Sequence, residues 1–377
     1  IRDRETSSRD VVEAHLARID DVNGSLNAIV RRLDDTALAA ADEADRAVER
    51  GDELGAFHGV PITVKENIDL LGSPTTQAVP AFAEALPTED APVSERLKAA
   101  GAIPIARTNL PDFGLRVHTD SSLHGLTRNP HHPGRTAGGS SGGEAAAIAT
   151  GMSPLGLGND IGGSLRNPAH CCGIASIKPS VGVVPTASSL PPEDPTLSFQ
   201  QMAVQGTMAR RVGDVRASFE AVAGAHVRDP FSLPVTLTEL TEGERLRVAV
   251  LADPPGGATH PEIAAAVRSA ADVLADAGHE VVEATPPMYA ETIDMWAALL
   301  IQDLVVMRPM LELVMGEDAQ SIIATLIDGA PDITVETTVM LQAGRAQAMR
   351  LWSAFFADHP IVLSPTWAMP AFEHGAD

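Results

Sequence analysis

The chain is 377 residues long, 44% hydrophobic and 3% aromatic, enough for one large α/β domain or two smaller ones with a core built mainly from Ala, Val, Leu and Ile. With 27 basic and 50 acidic side chains its formal charge is −23, which disfavours nucleic acid or an anionic membrane as a direct partner. Its two cysteines, Cys171 and Cys172, are adjacent, fit neither disulfide geometry nor a metal-ligand spacing, and read as small buried residues. The longest apolar stretch, residues 295–315, is interrupted by Asp303, Arg308, Pro309 and Glu312 and does not read as a transmembrane span. No signal peptide is visible at Ile1-Arg2-Asp3, so the cytoplasm is the expected compartment.

In chain order, Ser7 or Ser8 caps a predicted helix over residues 9–22, with Val12, Leu16 and Ile19 on one face and Gly24 as its stop. A second, alanine-rich helix is predicted over 34–50, closed by Gly51. Residues 60–64 read as a buried strand that leaves Lys65 at its end, followed by a helix over 94–100 and a strand over 102–106. Residues 108–136 are polar and punctuated by Pro111, Pro130 and Pro133. The cluster Gly138-Gly139-Ser140-Ser141-Gly142-Gly143 then feeds a helix over 144–150, and a short strand over 154–157 delivers a second loop, Gly158 to Ser164. In the back half, strands are predicted over 246–251, 279–283 and 361–363, and helices over 261–277, 290–315 and 335–357. Gly256-Gly257 and residues 191–195 read as surface loops. This alternation argues for an α/β sandwich.

The chemistry is concentrated in the two glycine-serine clusters and Lys65. Glycines allow close backbone approach and turn N–H groups toward a ligand, serines supply a nucleophile or proton relay, and a lysine among apolar residues is desolvated toward a neutral base. Glu144 replaces the lysine of a P-loop, and Ile161 replaces a glycine of the dinucleotide fingerprint, so neither nucleotide motif is present. Gly138-Gly139-Ser140-Ser141-Gly142 satisfies GxSxG, but the proline- and histidine-rich residues before it cannot form the strand a nucleophile elbow requires. His118, His124, His131 and His132 crowd one region with Asp112 and Asp120 without any tight ligand spacing, so no metal and no cofactor is expected.

The run from Gly138 through Ala147, followed by Leu157 through Ala169, closely resembles the amidase signature family. Lys65, Ser140 and Ser164, separated by 75 and 24 residues (140 − 65 and 164 − 140), agree with that family's spacing. Further similarity runs through Ala106-Arg107-Thr108-Asn109, Ile177-Lys178-Pro179 and Gly206 to Arg210. The resemblance implies an α/β/α sandwich with a large mixed central sheet covered by helices. It also implies a Ser–cis-Ser–Lys triad with Ser164 as nucleophile, Ser140 bridging after a cis peptide and Lys65 as base. The backbone N–H groups of Ile161, Gly162, Gly163 and Ser164 would form the oxyanion hole, with Asp160, Arg166 and Ser141 in support and Ser141 a further contact for the lysine. Glu66 and Asp69 are expected to face away from Lys65.

The expected protein is therefore a single amidase domain over residues 1–377, lacking its extreme N-terminus and C-terminal portion because the family usually continues past Ser364-Pro365-Thr366. Its expected reaction cleaves a carboxylic amide to an acid and ammonia or an amine through an acyl-serine. The alternative is the glutamine-hydrolysing subunit of a tRNA-dependent amidotransferase. The expected partner is a small-molecule amide, with no nucleic acid and no membrane, and self-association as a homodimer is compatible with this reading.

Overall fold

The computed structural model of the protein describes residues 1–377 apart from 192–193, 240, 242 and 331–332. Part of the predicted loop at 191–195 thus lies outside the described residues. The rest falls into two compact units, one of Ile1–Leu237, Leu311–Gln320 and Ala371–Asp377, the other of Thr238–Met310 and Ser321–Pro370.

In the first unit Ser7 caps α1 (Ser8–Leu26): its hydroxyl accepts from the Asp10 N–H while its own N–H donates to the Asp10 carboxylate. Val12, Leu16 and Ile19 are buried along one face, as their spacing predicts. The helix runs past Gly24 because Asn27, at φ 55°, takes the left-handed position, and Asn23 Oδ1 accepts the N–H groups of Ala28 and Ile29. Next come β1 (Ile29–Arg32), α2 (Asp34–Arg50), β2 (Pro61–Lys65), α3 (Pro92–Ala99) and β3 (Ile103–Thr108). The polar stretch beyond β3 holds a 3-10 turn at Asp112–Gly114 and the two-residue strands β4 (Asp120–Ser121) and β5 (Gly125–Leu126). The unit continues with α4 (Gly142–Ala149), β6 (Leu155–Asp160), α5 (Arg166–Cys172), β7 (Ala175–Ser176), α6 (Leu197–Met202), β8 (Val204–Ala209) and α7 (Val212–Val222).

Six of these strands form a mixed sheet in the order β1-β3-β2-β6-β8-β7. The inner strands β3, β2 and β6 are parallel, while β1, β8 and β7 run antiparallel to the neighbours they pair with. All five residues of β2 are buried, as expected of a strand covered on both faces. On one face α1, α2 and α4 pack through Val12, Leu16, Ala37 and Ala145 to Ile148; on the other α3 and α7 pack through Val93, Leu97, Val215 and Val222 against Ile62, Val64, Leu155 and Leu157. These helical layers on both faces make the α/β/α sandwich.

Sequence pattern alone ends the strand before the second loop at Leu157, but β6 continues through Gly158 and Asn159 to Asp160, pairing along its whole length with β8. The reason is that pairing, which continues through Gly158↔Gly206, Asn159↔Gln205 and Asp160↔Val204, while on the face of the strand α4, with its small side chains, sits close to the sheet. A Cβ on Gly156 would collide with the Glu144 carboxylate, so this strand position has to be glycine. The strand β8 has no alternating pattern, because all six of its residues are buried.

The second unit is built on a parallel three-stranded sheet, β10-β9-β11, from β9 (Arg247–Val250), β10 (Glu280–Glu283) and β11 (Ile361–Leu363). The crossover helix α8 (Pro261–Asp276), with Pro261 in its first turn, buries Val267 and Ala271 against Val248 and Val250. The long helices are α9 (Tyr289–Val314), which carries Pro309 inside it, α10 (Glu317–Asp328) and α11 (Val335–Asp358). No helix among the described residues is long and apolar enough to cross a membrane.

Leu157 is fully buried in the strand that leads to the second loop. Leu157→Ala should lower the unfolding free energy by about 2–5 kcal/mol, read as a reduced midpoint in urea denaturation.

Candidate active site

Lys65 ends β2 with no solvent exposure. Its Nζ donates to Ser140 Oγ at 2.7 Å and to Asn159 Oδ1 at 2.6 Å. Burial lowers its pKa from the usual lysine range to about 7, against the opposing charges of Asp160 and Glu144. Its main-chain carbonyl accepts from Arg107, a fully buried guanidinium that also donates to the carbonyls of Val64 and Ile68.

Ser140 follows a cis peptide after Gly139 and is almost completely buried, immediately before the N-terminus of α4. Ser141, a predicted contact of the lysine, instead donates its hydroxyl to the Asn159 carbonyl at 3.4 Å. Its N–H donates to the Ser164 carbonyl at 3.2 Å, which joins the two serine loops through their backbones. A second tie runs from the Gly139 N–H to Asn167 Oδ1 at 3.1 Å.

The loop 161–165 between β6 and α5 is organised by Asp160. Its carboxylate accepts from the N–H groups of Gly163 at 2.8 Å and Leu165 at 3.0 Å, and it pairs with Arg166 through Nε at 3.0 Å and Nη2 at 2.8 Å. Burial acts to raise the Asp160 pKa, but the Arg166 contacts and the two backbone donors outweigh it and hold the carboxyl below its usual range. Gly163, at φ 120°, adopts a conformation that side chains rarely tolerate. Ser164 follows it, 7% exposed. The N–H of Gly163, predicted as an oxyanion donor, is thus turned to Asp160.

Lys65 at the end of β2 and Asp160 at the end of β6 are thus tied to the two serine loops: Lys65 through Ser140, Ser141 to Ser164 by their backbones, and Asp160 to Arg166. Glu66 and Asp69 turn to partners other than the lysine, yet neither reaches solvent. Glu66 accepts from Thr76 Oγ1 and lies 2.5 Å from His124 Nε2, whereas Asp69 accepts from Ser188 and Ser189. Sequence reasoning missed Asn159, Asn67 and Glu144. Asn159 Nδ2 donates to Asn67 Oδ1 at 2.9 Å, so two amides stand in line behind the lysine. The only signal for them was their proximity in sequence to Asp160 and Lys65.

The crowded histidines separate in space. His118 Nδ1 lies 2.8 Å from Thr136 Oγ1, His124 meets Glu66, and His131 Nε2 lies 2.9 Å from the Cys172 carbonyl. Among the described residues, no group of three His, Cys, Asp or Glu side chains could hold a metal ion. Both cysteines are buried free thiols. No strand leads directly into Gly138, so the nucleophile-elbow geometry is not formed.

A fully buried lysine is thus hydrogen-bonded to one of the two serine loops, and comparison with known proteins gives the family. The chain belongs to the Amidase family, whose sequence pattern matches residues 10–377. It is 40% identical over 371 residues to an indoleacetamide hydrolase of Bradyrhizobium diazoefficiens, covering 98% of this chain and 71% of that protein. The structure of a bacterial aryl acylamidase of the amidase signature family superposes with a TM-score of 0.86 at 27% identity, over 100% of this chain and 80% of that one. A Glutamyl-tRNA(Gln) amidotransferase subunit of Thermosynechococcus vestitus is 34% identical over 292 residues, 76% of this chain and 59% of that protein. The greater coverage by amidohydrolases favours hydrolysis over the amidotransferase alternative. The protein is a hydrolase of amide bonds.

Because Asp160 holds the 161–165 loop through its charge, Asp160→Asn should loosen that loop without unfolding the sheet. The expected result is faster hydrogen exchange at the Gly163 and Leu165 amides than in the parent protein, with exchange in β2 unchanged.

Proposed function

We propose that the protein cleaves a carboxylic amide through an acyl-Ser164 intermediate, with Ser140 as proton relay and Lys65 as base. The observation that carries this reading is the 2.7 Å contact between a fully buried lysine and Ser140. Lys65 with a pKa of about 7 is largely free amine at slightly alkaline pH, so its lone pair can take the Ser140 proton while Ser140 takes that of Ser164. Ser164 Oγ then attacks the amide carbon, and the carbonyl oxygen becomes an oxyanion facing backbone donors of the loop. Ile161, Gly162 and Ser164 are our choice of donors, with Gly163 holding the loop's shape through Asp160. The proton returns through Ser140 to the leaving nitrogen, the C–N bond breaks, and ammonia or an amine departs. Water activated by the same relay opens the ester, giving the carboxylate and restoring Ser164.

As substrate we propose a primary amide of an arylacetic acid, supported by the 40% identity to a protein named indoleacetamide hydrolase. Both compact units are read as parts of one amidase domain, since the family pattern spans them. We assign the reaction to the cytoplasm and to small molecules; the charge of −23 disfavours nucleic acid as a partner.

Purified protein should release ammonia from an arylacetamide without ATP, and Ser164→Ala should reduce this by roughly three orders of magnitude or more. A fluorophosphonate should label the parent protein at Ser164; labelling of Ser164→Ala at the parent rate would refute the assignment.

For Lys65 the sign follows from its role. The protonated amine cannot accept a proton, so kcat/KM should rise with pH through about 7 and stay high above it. Lys65→Arg should remain inactive throughout, because a guanidinium does not deprotonate in this range. Near-parental turnover of Lys65→Arg at neutral pH would exclude Lys65 as the base.

A further inference from the structure

Glu144 is completely buried in the first turn of α4, three residues after Ser141. Its two oxygens meet two strands: Thr63 of β2 donates to Oε1, and Thr108 of β3 donates to Oε2 at 2.8 Å. A third strand, β6, presents Gly156 to the same carboxyl, with no room for a Cβ. Thr63 and Lys65 are two residues apart on β2 and so project from one face, the face that α4 covers. One side chain thus fixes the start of α4 against the strand that carries the lysine.

We propose that Glu144 is a positioning residue for the Lys65–Ser140 pair, which locks α4 to β2 and sets, through its charge, the pH at which the lysine becomes free amine. This rests on the reading of Lys65 as the base. The charged groups around the lysine are Glu144 from α4, Asp160 from β6 and Arg107 from β3, with Glu66 and Asp69 beside Arg107. Of the two anions Asp160 bears more strongly on Lys65, but it is paired with Arg166, whereas the partners of Glu144 are the neutral hydroxyls of Thr63 and Thr108, so Glu144 is the anion whose charge a single substitution removes without breaking an ion pair. Burial raises the Glu144 carboxyl to about 7, while the hydroxyls of Thr63 and Thr108 favour its charged form. A negative Glu144 stabilises protonated Lys65, so removing that charge releases the lysine proton at lower pH.

Glu144→Gln tests this, because an amide can accept from one threonine hydroxyl and donate to the other in the same space. The acid limb of kcat/KM should move down by roughly one pH unit, while kcat on the plateau falls less than tenfold. Thr108→Val offers an independent test if the glutamine variant does not fold. It removes a donor that stabilises the carboxylate and should move the limb in the same direction by less. A limb that stays in place or moves up in the folded variants overturns the proposal. Lys65→Arg is the control: if it retains activity the base assignment itself fails, whereas an inactive Lys65→Arg beside an unmoved limb refutes only the role of Glu144.

Discussion

The site depends on keeping one amine out of water. Holding Lys65 at a pKa of about 7 corresponds to about 5 kcal/mol of discrimination against its charged form relative to solvent. A single hydrogen bond at the site contributes about 1–3 kcal/mol, so enclosure outweighs any one contact in setting the charge state. The enclosure explains much of the local sequence. Every residue of β2 is buried, and α4 is made of Gly, Ala and Ile apart from Glu144, which lets the helix seal the strand ends closely.

The same enclosure dictates how the neighbouring charges are handled. Asp160 would favour a protonated lysine, and its pairing with the Arg166 side chain and three backbone amides spends that charge on shaping the 161–165 loop. Arg107 is buried among the carbonyls of Val64, Lys65 and Ile68, where it fixes the lysine's backbone and faces Glu66 and Asp69 electrostatically. Loop shape, strand end and lysine protonation are therefore coupled through a few residues. Buried polar groups require such partners, since leaving any of them unmet would cost as much as the contacts contribute.

Much of this was legible in the sequence because glycine and serine clusters flanked by core-forming alanines are unusual in a linker. The strand ending at Lys65, the helix after the first cluster and the crossover around α8 followed from periodicity and caps. The resemblance of the clusters to a known family supplied the assignment of roles. What was not legible arose from tertiary contacts. The strand β6 extends through Asp160 because β8 pairs with it, and β8 itself has no alternation to reveal it. Glu144 at a helix N-terminus reads as an exposed, dipole-favoured acid; only the glycine at position 156 and two threonines on other strands make it a buried clamp. Asn159 and Asn67 carry no local pattern at all, and their line to the lysine exists only in three dimensions.

The most direct test is the titration of Lys65 itself. Protein labelled with 13Cε-lysine can be followed by NMR from pH 5 to pH 11, with the Lys65 signal assigned by its loss in Lys65→Arg. A midpoint near 7 is the result this account predicts. A midpoint near the solvated value of ~10.4 would contradict it, because the lysine would then be charged at the pH at which it has to accept a proton.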